Sequence, residues 1–476
     1  MINIGKNYIP EQVKRAHMIA VCGTGMGALA SILKDQGIAV TGSDEKVYPP
    51  MSDFLMNRGI KINEGFDKKN LLYNPDLVIV GNTVKKNNPE VLAIKERGLY
   101  FCSMPQAINR FAVCDKKPLL VVGTHGKTTT SSVLAWILYH ADLEPGFIIG
   151  GILNNFKSNY YSGKGKYIVI EGDEYDTAFF DKGSKFLHYD PNIAILTSVE
   201  FDHADIFKDL NHVKKAFDAF ISKISETGRL IAFDNDPNIE ELIKDRNCRI
   251  QTYGKKHDSN WRLGWVSIEP PWTLFEVFEN NRKFGKFKTK LMGEHNLLNI
   301  LSVIACAHNL KIKPGVISKA LETFEGIKRR QQVRGQKKQI TVMDDFAHHP
   351  TAVYETIRAV KPYYPDGRII AVFEPRTNSS MRRTFQDVYP KAFDKADIVC
   401  IRRPSLLEKI PHADRFSSEK LVCDLKTRGK DAHYFRDTDS LISFLVNTAL
   451  AGDLILIMSN GGFDNIHERL LEKLDN

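Results

Sequence analysis

The octapeptide GTHGKTTT at residues 123–130, set between the apolar run LLVV and a helix-forming stretch, carries chemistry most directly. Its glycines let backbone N–H groups approach phosphate oxygens, Lys127 is long enough to reach terminal phosphates, and Thr128 offers a hydroxyl to a magnesium ion. Gly123, Thr124, His125, Gly126, Lys127, Thr128 and Thr129 are therefore the candidate phosphate cradle. The common P-loop spacing wants a glycine where Val121 stands, so this is a shortened GxxGKT form that departs from ordinary ATPase and GTPase sequences.

Two acidic clusters accompany it. Glu171, Asp173, Glu174 and Asp176 follow the apolar run YIVI, and Glu200, Asp202, His203 and Asp205 follow IAILTSV. In an open α/β sheet the carboxyl ends of strands are where ligands bind, and carboxylate oxygens suit a hard cation that shares its shell with phosphates. Each cluster alone reads as a solvated loop; beside a phosphate cradle both read as magnesium ligands. A second glycine turn, GTGMGA, with Gly23, Gly25 and Ala28 and with Asp44 after the next strand, has the pattern of a dinucleotide fingerprint. It predicts binding of a nucleotide diphosphate and leaves an NAD-dependent oxidoreductase as a rival.

The elements that must position these groups are short apolar strands alternating with helices. HMIAV, a glycine turn, a helix carrying Leu29, Ile32 and Leu33, and a second strand make a βαβ unit, and DLVIV extends it. A new start at CDKKP opens a second series, LLVV, YIVI, IAIL and GRLIAF, whose near-continuous apolar runs suit strands covered on both faces of a parallel sheet. Between Trp261 and Lys290 aromatic and polar residues alternate around a turn at ENNRK, which predicts an antiparallel hairpin inserted in this segment. QITVMDD, GRIIAVF, ADIVCI and DLILIMS repeat the alternation. The fold class expected is α/β, three doubly wound Rossmann-like domains in series at 1–113, 114–330 and 331–476, with hinges near residues 113 and 331.

The 476 residues are too many for one small core, and 43% hydrophobic with 26% charged residues is a globular composition. The charge of +9 is spread through mixed-sign sequence, which argues against nucleic acid and is compatible with anionic small substrates. Seven scattered cysteines form no CxxC pair, so neither zinc clusters nor disulfides are expected. No run approaches the ~18 apolar residues of a membrane span, and the first residues lack the apolar core of a signal peptide. A cytoplasmic protein with no membrane partner is expected.

GTGMGALA, GTHGKTTT, EGDEYD, EFDHADIF, GEHNLLN, RRQQVRG, DDFAHHPTA and FEPRTNSSMRR stand in the order seen in the Mur ligase family, which this chain resembles over nearly its whole length. The resemblance implies an ATP-dependent amide ligase with ATP and magnesium as cofactors, manganese being a substitute. Within the family, the extended EGDEYDTAFFDKGSKFLHYDP, FEPRTNSS and MSNGGFDNIHERL resemble the branch that joins UDP-N-acetylmuramate to the tripeptide L-Ala-γ-D-Glu-meso-diaminopimelate in the recycling of cell-wall peptides. The branch that adds L-alanine to the same UDP-sugar is the alternative.

By resemblance, Lys127, Glu171, His203 and Arg330 would be the catalytic set, with Thr128, Glu171 and His203 holding magnesium. His295, Asn296, Asn299, Arg330 and Asp345 would join the cradle around ATP. Gly23, Thr24, Gly25, Met26, Gly27, Asp44 and Asn82 would hold the UDP-sugar, and Arg376, Arg382, Arg383 and His348 the peptide. Several relatives carry a carbamylated lysine beyond the metal-binding histidine; here Phe217 and Asp218 stand in that neighbourhood, with Lys214 and Lys215 slightly too early, so no carbamylation is expected. A monomer or weak homodimer is expected. A nucleotide-regulated binding protein without ligase activity and a folylpolyglutamate-type ligase are the remaining rivals; the latter leaves the N-terminal UDP-sugar domain unexplained.

Overall fold

The computed structural model describes residues 4–47, 51–202, 204, 206–405 and 407–475. Three α/β lobes follow one another, each built on its own sheet. The first sheet is all parallel, β1 (Arg15–Ile19), β2 (Ala39–Asp44), β3 (Lys61–Glu64), β4 (Leu77–Val80) and β5 (Phe101–Ser103), in the order β3-β2-β1-β4-β5. Helices α1 (Thr24–Asp35), α2 (Met51–Asn57) and α3 (Pro89–Arg97) connect its strands, and α4 (Met104–Ile108) follows β5. All four residues of β4 are buried: Leu77 and Ile79 join a core containing Leu29 and Ile32 of α1, while Val78 and Val80 join one containing Val91 and Ile94 of α3. This two-sided burial is why LVIV carries no polar alternation.

The second sheet has ten strands: β6 (Lys117–Val122), β7 (Gly146–Leu153), β8 (Ser158–Tyr161), β9 (Tyr167–Glu171), β12 (Ile193–Leu196), β13 (Arg229–Phe233), β14 (Arg249–Gly254), β15 (Trp261–Glu269), β16 (Trp272–Glu279) and β17 (Arg282–Thr289). β10 (Asp176–Ala178) and β11 (Asp181–Ser184) form a separate small hairpin. Strand order is β17-β16-β15-β14-β13-β12-β6-β9-β7-β8. Helices α5 (Lys127–His140), α8 (Glu294–Asn309) and α9 (Pro314–Thr323) share one core, and α6 (Leu210–Ser222) and α7 (Pro237–Ile243) lie on the other. The expected antiparallel segment is present and longer than a single hairpin. Its three strands continue the sheet edge, because β15 pairs parallel with β14 before β16 and β17 turn back. Asn280 and Asn281, both at positive φ (46° and 64°), make the tight turn read from ENNRK.

The third sheet, β18 (Gln332–Lys337), β19 (Ile340–Asp345), β20 (Ile369–Phe373), β21 (Ile398–Arg402), β22 (Asp431–Phe435) and β23 (Leu454–Met458), runs β18-β19-β23-β20-β21-β22, parallel except for β18. Helices α10 (Pro350–Val360), α11 (Tyr389–Ala392) and α12 (Ser418–Thr427) cover one face, and α13 (Thr438–Thr448) and α14 (Ile466–Asp475) the other. Among the described residues no helix is long and apolar enough to cross a membrane.

The lobes join in two different ways. One continuous apolar core contains Leu29 and Ile32 of α1 together with Ile148 and Tyr160 of the central sheet, whereas the third lobe keeps its own two cores. Polar contacts tie it to the phosphate-loop side of the central lobe, Thr351 to Glu200 and His349 to the Phe201 carbonyl, while Met292 packs on its core from just before α8.

Candidate active site

Sheet order brings the two acidic strand ends to the phosphate loop. β6 leads into GTHGKTTT and lies between β9, which ends in Glu171, and β12, which runs into Thr197–Glu200. The loop closes onto α5 with Gly123 at φ 134° and Gly126 at φ 78°. A Cβ on Gly123 would lie 2.1 Å from Thr197 Oγ1, and one on Gly126 2.6 Å from Asn299 Oδ1, so both positions demand glycine. Lys127 opens the 14-residue α5, whose first N–H groups lack intrahelical acceptors and favour anions.

The loop's outer curve is held from β12. Thr124 N donates to the Ser198 carbonyl, His125 N to Ser198 Oγ (2.9 Å), and Glu200 N to Thr124 Oγ1 (2.9 Å). On the other side Thr128 Oγ1 donates to Glu171 Oε1 (2.9 Å), and Gly150 N donates to Glu171 Oε2 (2.7 Å). A threonine hydroxyl beside a carboxylate at a phosphate loop is a donor set that fits a hard divalent cation.

The rest of the acidic cluster does something other than expected. Glu174 receives Lys127 Nζ at 2.7 Å, Asp173 receives Lys185 Nζ at 2.7 Å, and Asp176 receives Lys182 Nζ at 2.6 Å. Three of the four carboxylates thus meet lysine partners, and Glu171 alone of the four receives Thr128. Burial works against the Lys127 ammonium, but Glu174, Asp173 and Glu171 outweigh it and raise its pKa, so it stays charged. His203 and Asp205, expected beside the metal, lie outside the described residues.

A cavity of about 390 Å³ opens between the central and third lobes. His125, Gly126, Thr129, His295, Asn296, Asn299, Arg330 and Asp345 all line it, so eight of the residues expected around ATP converge on one space. Arg330 Nη2 lies 3.4 Å from Thr128 Oγ1, which carries the linker arginine to the phosphate loop. Its neighbour Arg329 faces the other way, donating to the carbonyls of Ser459 (2.6 Å) and Gly461 (2.7 Å) in the third lobe. Asp345 accepts from Gln331 N and Ala347 N, each at 2.8 Å; its burial outweighs Arg330 and these bonds and raises its pKa. Asn296 Nδ2 donates to the Met292 carbonyl (2.8 Å) and Asn299 Nδ2 to Asn296 Oδ1 (3.4 Å), fixing both amides on α8.

One cluster at this interface joins residues whose relation the sequence did not show. His125, Glu200 and His349 present ligand atoms within 4.8 Å of one another, and the two imidazole rings are 4.6 Å apart. His349 Nδ1 accepts from Thr351 N (3.3 Å) while Nε2 lies 3.3 Å from the Phe201 carbonyl, so both of its nitrogens are engaged and it caps α10. Glu200 Oε2 accepts from Thr351 Oγ1 at 2.8 Å. Burial of Glu200 is outweighed by His125, Thr351 and His349, which hold its pKa down at about 2. The cluster is a polar contact between the phosphate-loop side of the central lobe and the third lobe, tied by the bond from Thr351 to Glu200.

Burial, followed by Arg358 for His295 and by His125 for His349, lowers both histidines to pKa values of about 4 from an ordinary 6.5. Unfolding restores the ordinary value, so in the window from pH 6.5 down to 4 the unfolded chain binds more protons than the folded one. Stability is full above that window and falls as pH drops through it, by at most about 1.4 kcal/mol per pH unit for the buried His349 and by less for His295, whose side chain is partly exposed and screened by solvent. The thermal midpoint should therefore fall between about pH 7.5 and about pH 5. His349→Asn, which preserves a capping side chain, should shrink that fall; an unchanged fall contradicts the assignment.

In the first lobe β1 lies between β2 and β4, and the chain leaves β1 toward one side and returns in β4 on the other. That is the switch point at which open α/β sheets bind ligands. Gly23 precedes α1, Thr24, Gly25, Met26 and Gly27 form its first turn, and Asn82 follows β4 at the same edge. Asp44 Oδ2 accepts from Cys22 N at 2.9 Å, closing the glycine turn onto β2. The peptide candidates are less concentrated. Arg376 lies 3.6 Å from Glu374 and presses on Gly461, Arg382 lies 3.4 Å from Asp414, and Arg383 is exposed on a short 3-10 turn. His348 Nδ1 lies 3.1 Å from the Phe346 carbonyl and its Nε2 3.8 Å from Asp202.

The chain matches three family models in succession: the Mur ligase family catalytic domain over residues 15–113, the Mur ligase middle domain over 121–307, and the Mur ligase glutamate ligase domain over 329–461. It is 40% identical over 461 residues, 97% of this chain and 98% of the relative, to the UDP-N-acetylmuramate–L-alanyl-γ-D-glutamyl-meso-2,6-diaminoheptandioate ligase of Escherichia coli strain K12. A crystal structure of a murein peptide ligase from Psychrobacter arcticus 273-4 is similar at 34% identity and a TM-score of 0.72, covering 97% of this chain and 99% of that one. The UDP-N-acetylmuramate–alanine ligase of Thermotoga maritima superposes at 0.81 but is 25% identical, covering 96% and 98%. The chain belongs to the Mur ligase family.

Proposed function

We propose that this chain is the ATP-dependent ligase that joins the lactyl carboxylate of UDP-N-acetylmuramate to the L-alanyl amine of L-Ala-γ-D-Glu-meso-diaminopimelate, returning cell-wall peptide to a UDP-sugar. The observation that carries the reading is the convergence of Lys127, Thr128, Glu171, Arg330 and Asp345 around the cradle and its interlobe cavity, in a chain whose identity is higher to a ligase named for the tripeptide than to ligases named for alanine.

ATP occupies the cavity with its phosphates at the start of α5. A carboxylate is a poor electrophile, so its oxygen first attacks the γ-phosphorus, the bond to ADP breaks, and an acyl phosphate forms. The peptide amine, neutral when it reacts, then attacks the acyl carbon; the carbon–oxygen bond to phosphate breaks and the amine proton is lost. Lys127 meets the charge spread over the moving phosphoryl group, and α5 adds its N-terminal amides. Thr128 and Glu171 would hold magnesium, with His203 as the further candidate ligand; the ion would neutralise phosphate charge. The glycine turn of the first lobe and Asn82 take the UDP-sugar. Arg376, Arg382, Arg383 and His348 are the candidates for the peptide, whose carboxylates suit guanidinium forks.

With the three substrates on three lobes, closure is required to bring the reacting atoms to about 3–3.5 Å. The polar contact between central and third lobes is the one suited to opening, with the turn at Arg329–Gln331 as its hinge; both residues have positive φ, 63° and 47°. The test is UDP-N-acetylmuramate labelled with ¹⁸O in both lactyl carboxylate oxygens. One label should appear in the released phosphate and one should remain in the amide. Phosphate without label would exclude the acyl phosphate.

A further inference from the structure

We propose that Asn159, on a central-lobe edge strand, is a positioning residue for the UDP-sugar site; this rests on the reading that the glycine turn at the start of α1 takes the UDP-sugar. Asn159 on β8 is 1% exposed and donates its Nδ2–H to the carbonyl of Thr24 at 2.9 Å, across the boundary between the first two lobes. That carbonyl belongs to the same peptide unit as the N–H of Gly25. In a trans peptide the two groups point in opposite directions, so a donor fixed on the carbonyl holds the N–H from behind. Gly25 is among the first residues of α1, where helix geometry provides the N–H with no intrahelical acceptor and turns it toward a bound anion. A hydrogen bond on the carbonyl also polarises the peptide unit and strengthens its N–H as a donor.

The neighbouring residues of the same edge grip the other end of the helix. Tyr160 Oη and Ser162 Oγ donate to Asp35 Oδ2 at 3.2 and 3.3 Å, and Arg58 pairs with the same carboxylate group. The apolar core continuous between the two lobes fills the space between these grips. The packing is thus shared by both ends of α1, whereas Asn159 supplies the side-chain bond to the ligand-facing peptide unit, added to the bond the Thr24 carbonyl makes within α1. A buried amide left without its partner costs free energy, so the bond is held wherever the interface is formed.

The test measures binding of UDP-N-acetylmuramate by calorimetry, and steady-state kinetics, on the full chain. Asn159→Asp keeps the shape and removes the donor, and Asn159→Ser is a second variant too short to reach. Both should weaken UDP-sugar binding by about tenfold, equivalent to about 1.4 kcal/mol, while kcat at saturation and KM for ATP stay within about twofold. Tyr160→Phe removes a bond at the far end of α1 and should leave UDP-sugar affinity unchanged. Wild-type affinity in both Asn159 variants, or an equal loss in Tyr160→Phe, overturns the proposal, the second because the effect would then be interface packing alone. Gly25→Val separates the two levels: it should abolish UDP-sugar binding. If it abolishes binding while the Asn159 variants bind normally, only this inference falls; if Gly25→Val itself binds normally, the reading of the glycine turn falls and takes this inference with it.

Discussion

Lys127→Ala should lower kcat by roughly 10²–10³-fold, about 2.7–4 kcal/mol of transition-state stabilisation, the range found when a key electrostatic donor is removed. The side chain sits at the first residue of α5, is largely shielded from solvent, and is kept charged by the buried Glu174 at 2.7 Å. The same geometry predicts a cost in stability, because removing one member of a buried ion pair strands the other, typically at about 3–5 kcal/mol. A bare loss of activity would therefore mix two effects. The double variant Lys127→Ala/Glu174→Gln takes out the stranded charge and should recover much of the thermal midpoint without recovering kcat. Turnover returning with stability would show that Lys127 serves the fold and not the phosphoryl transfer.

Glu171→Gln should be the second large loss, again roughly 10²-fold or more in kcat, with a higher requirement for added magnesium. One carboxylate oxygen accepts from Thr128 Oγ1 and the other from Gly150 N, so an amide must turn its NH₂ toward one of these donors as well as give up its charge. Glu171 is partly exposed, and the pair it forms is with a hydroxyl and a backbone N–H, so the thermal midpoint should move little. Activity measured across a magnesium titration checks this. Near-normal turnover at low magnesium would remove Glu171 from the metal site.

These two variants stand at different distances from what the sequence makes plain. Gly123 through Thr129 is a contiguous motif between an apolar strand and a helix, so local chemistry alone places it at a strand end. The clusters after YIVI and IAIL were likewise legible as strand ends, but not which strands would be neighbours; the sheet settles that by placing β9 and β12 on either side of β6. Within EGDEYD the four carboxylates look alike in one dimension. Their division, Glu171 to Thr128, Glu174 to Lys127, Asp173 to Lys185 and Asp176 to Lys182, depends on where each side chain leaves the turn and on lysines elsewhere in the fold. Contacts between lobes were the least legible. His125 and Glu200 meet His349 only because the central and third lobes pack, and Asn159, in the unremarkable stretch SNYY, has no motif to mark it.

Release of ADP in the presence of ATP, magnesium and UDP-N-acetylmuramate, with L-alanine and L-Ala-γ-D-Glu-meso-diaminopimelate compared as acceptors, separates the two branches of the family. Turnover is expected with the tripeptide and not with L-alanine. Turnover with L-alanine alone would contradict this and assign the chain to the alanine-adding branch of the same family.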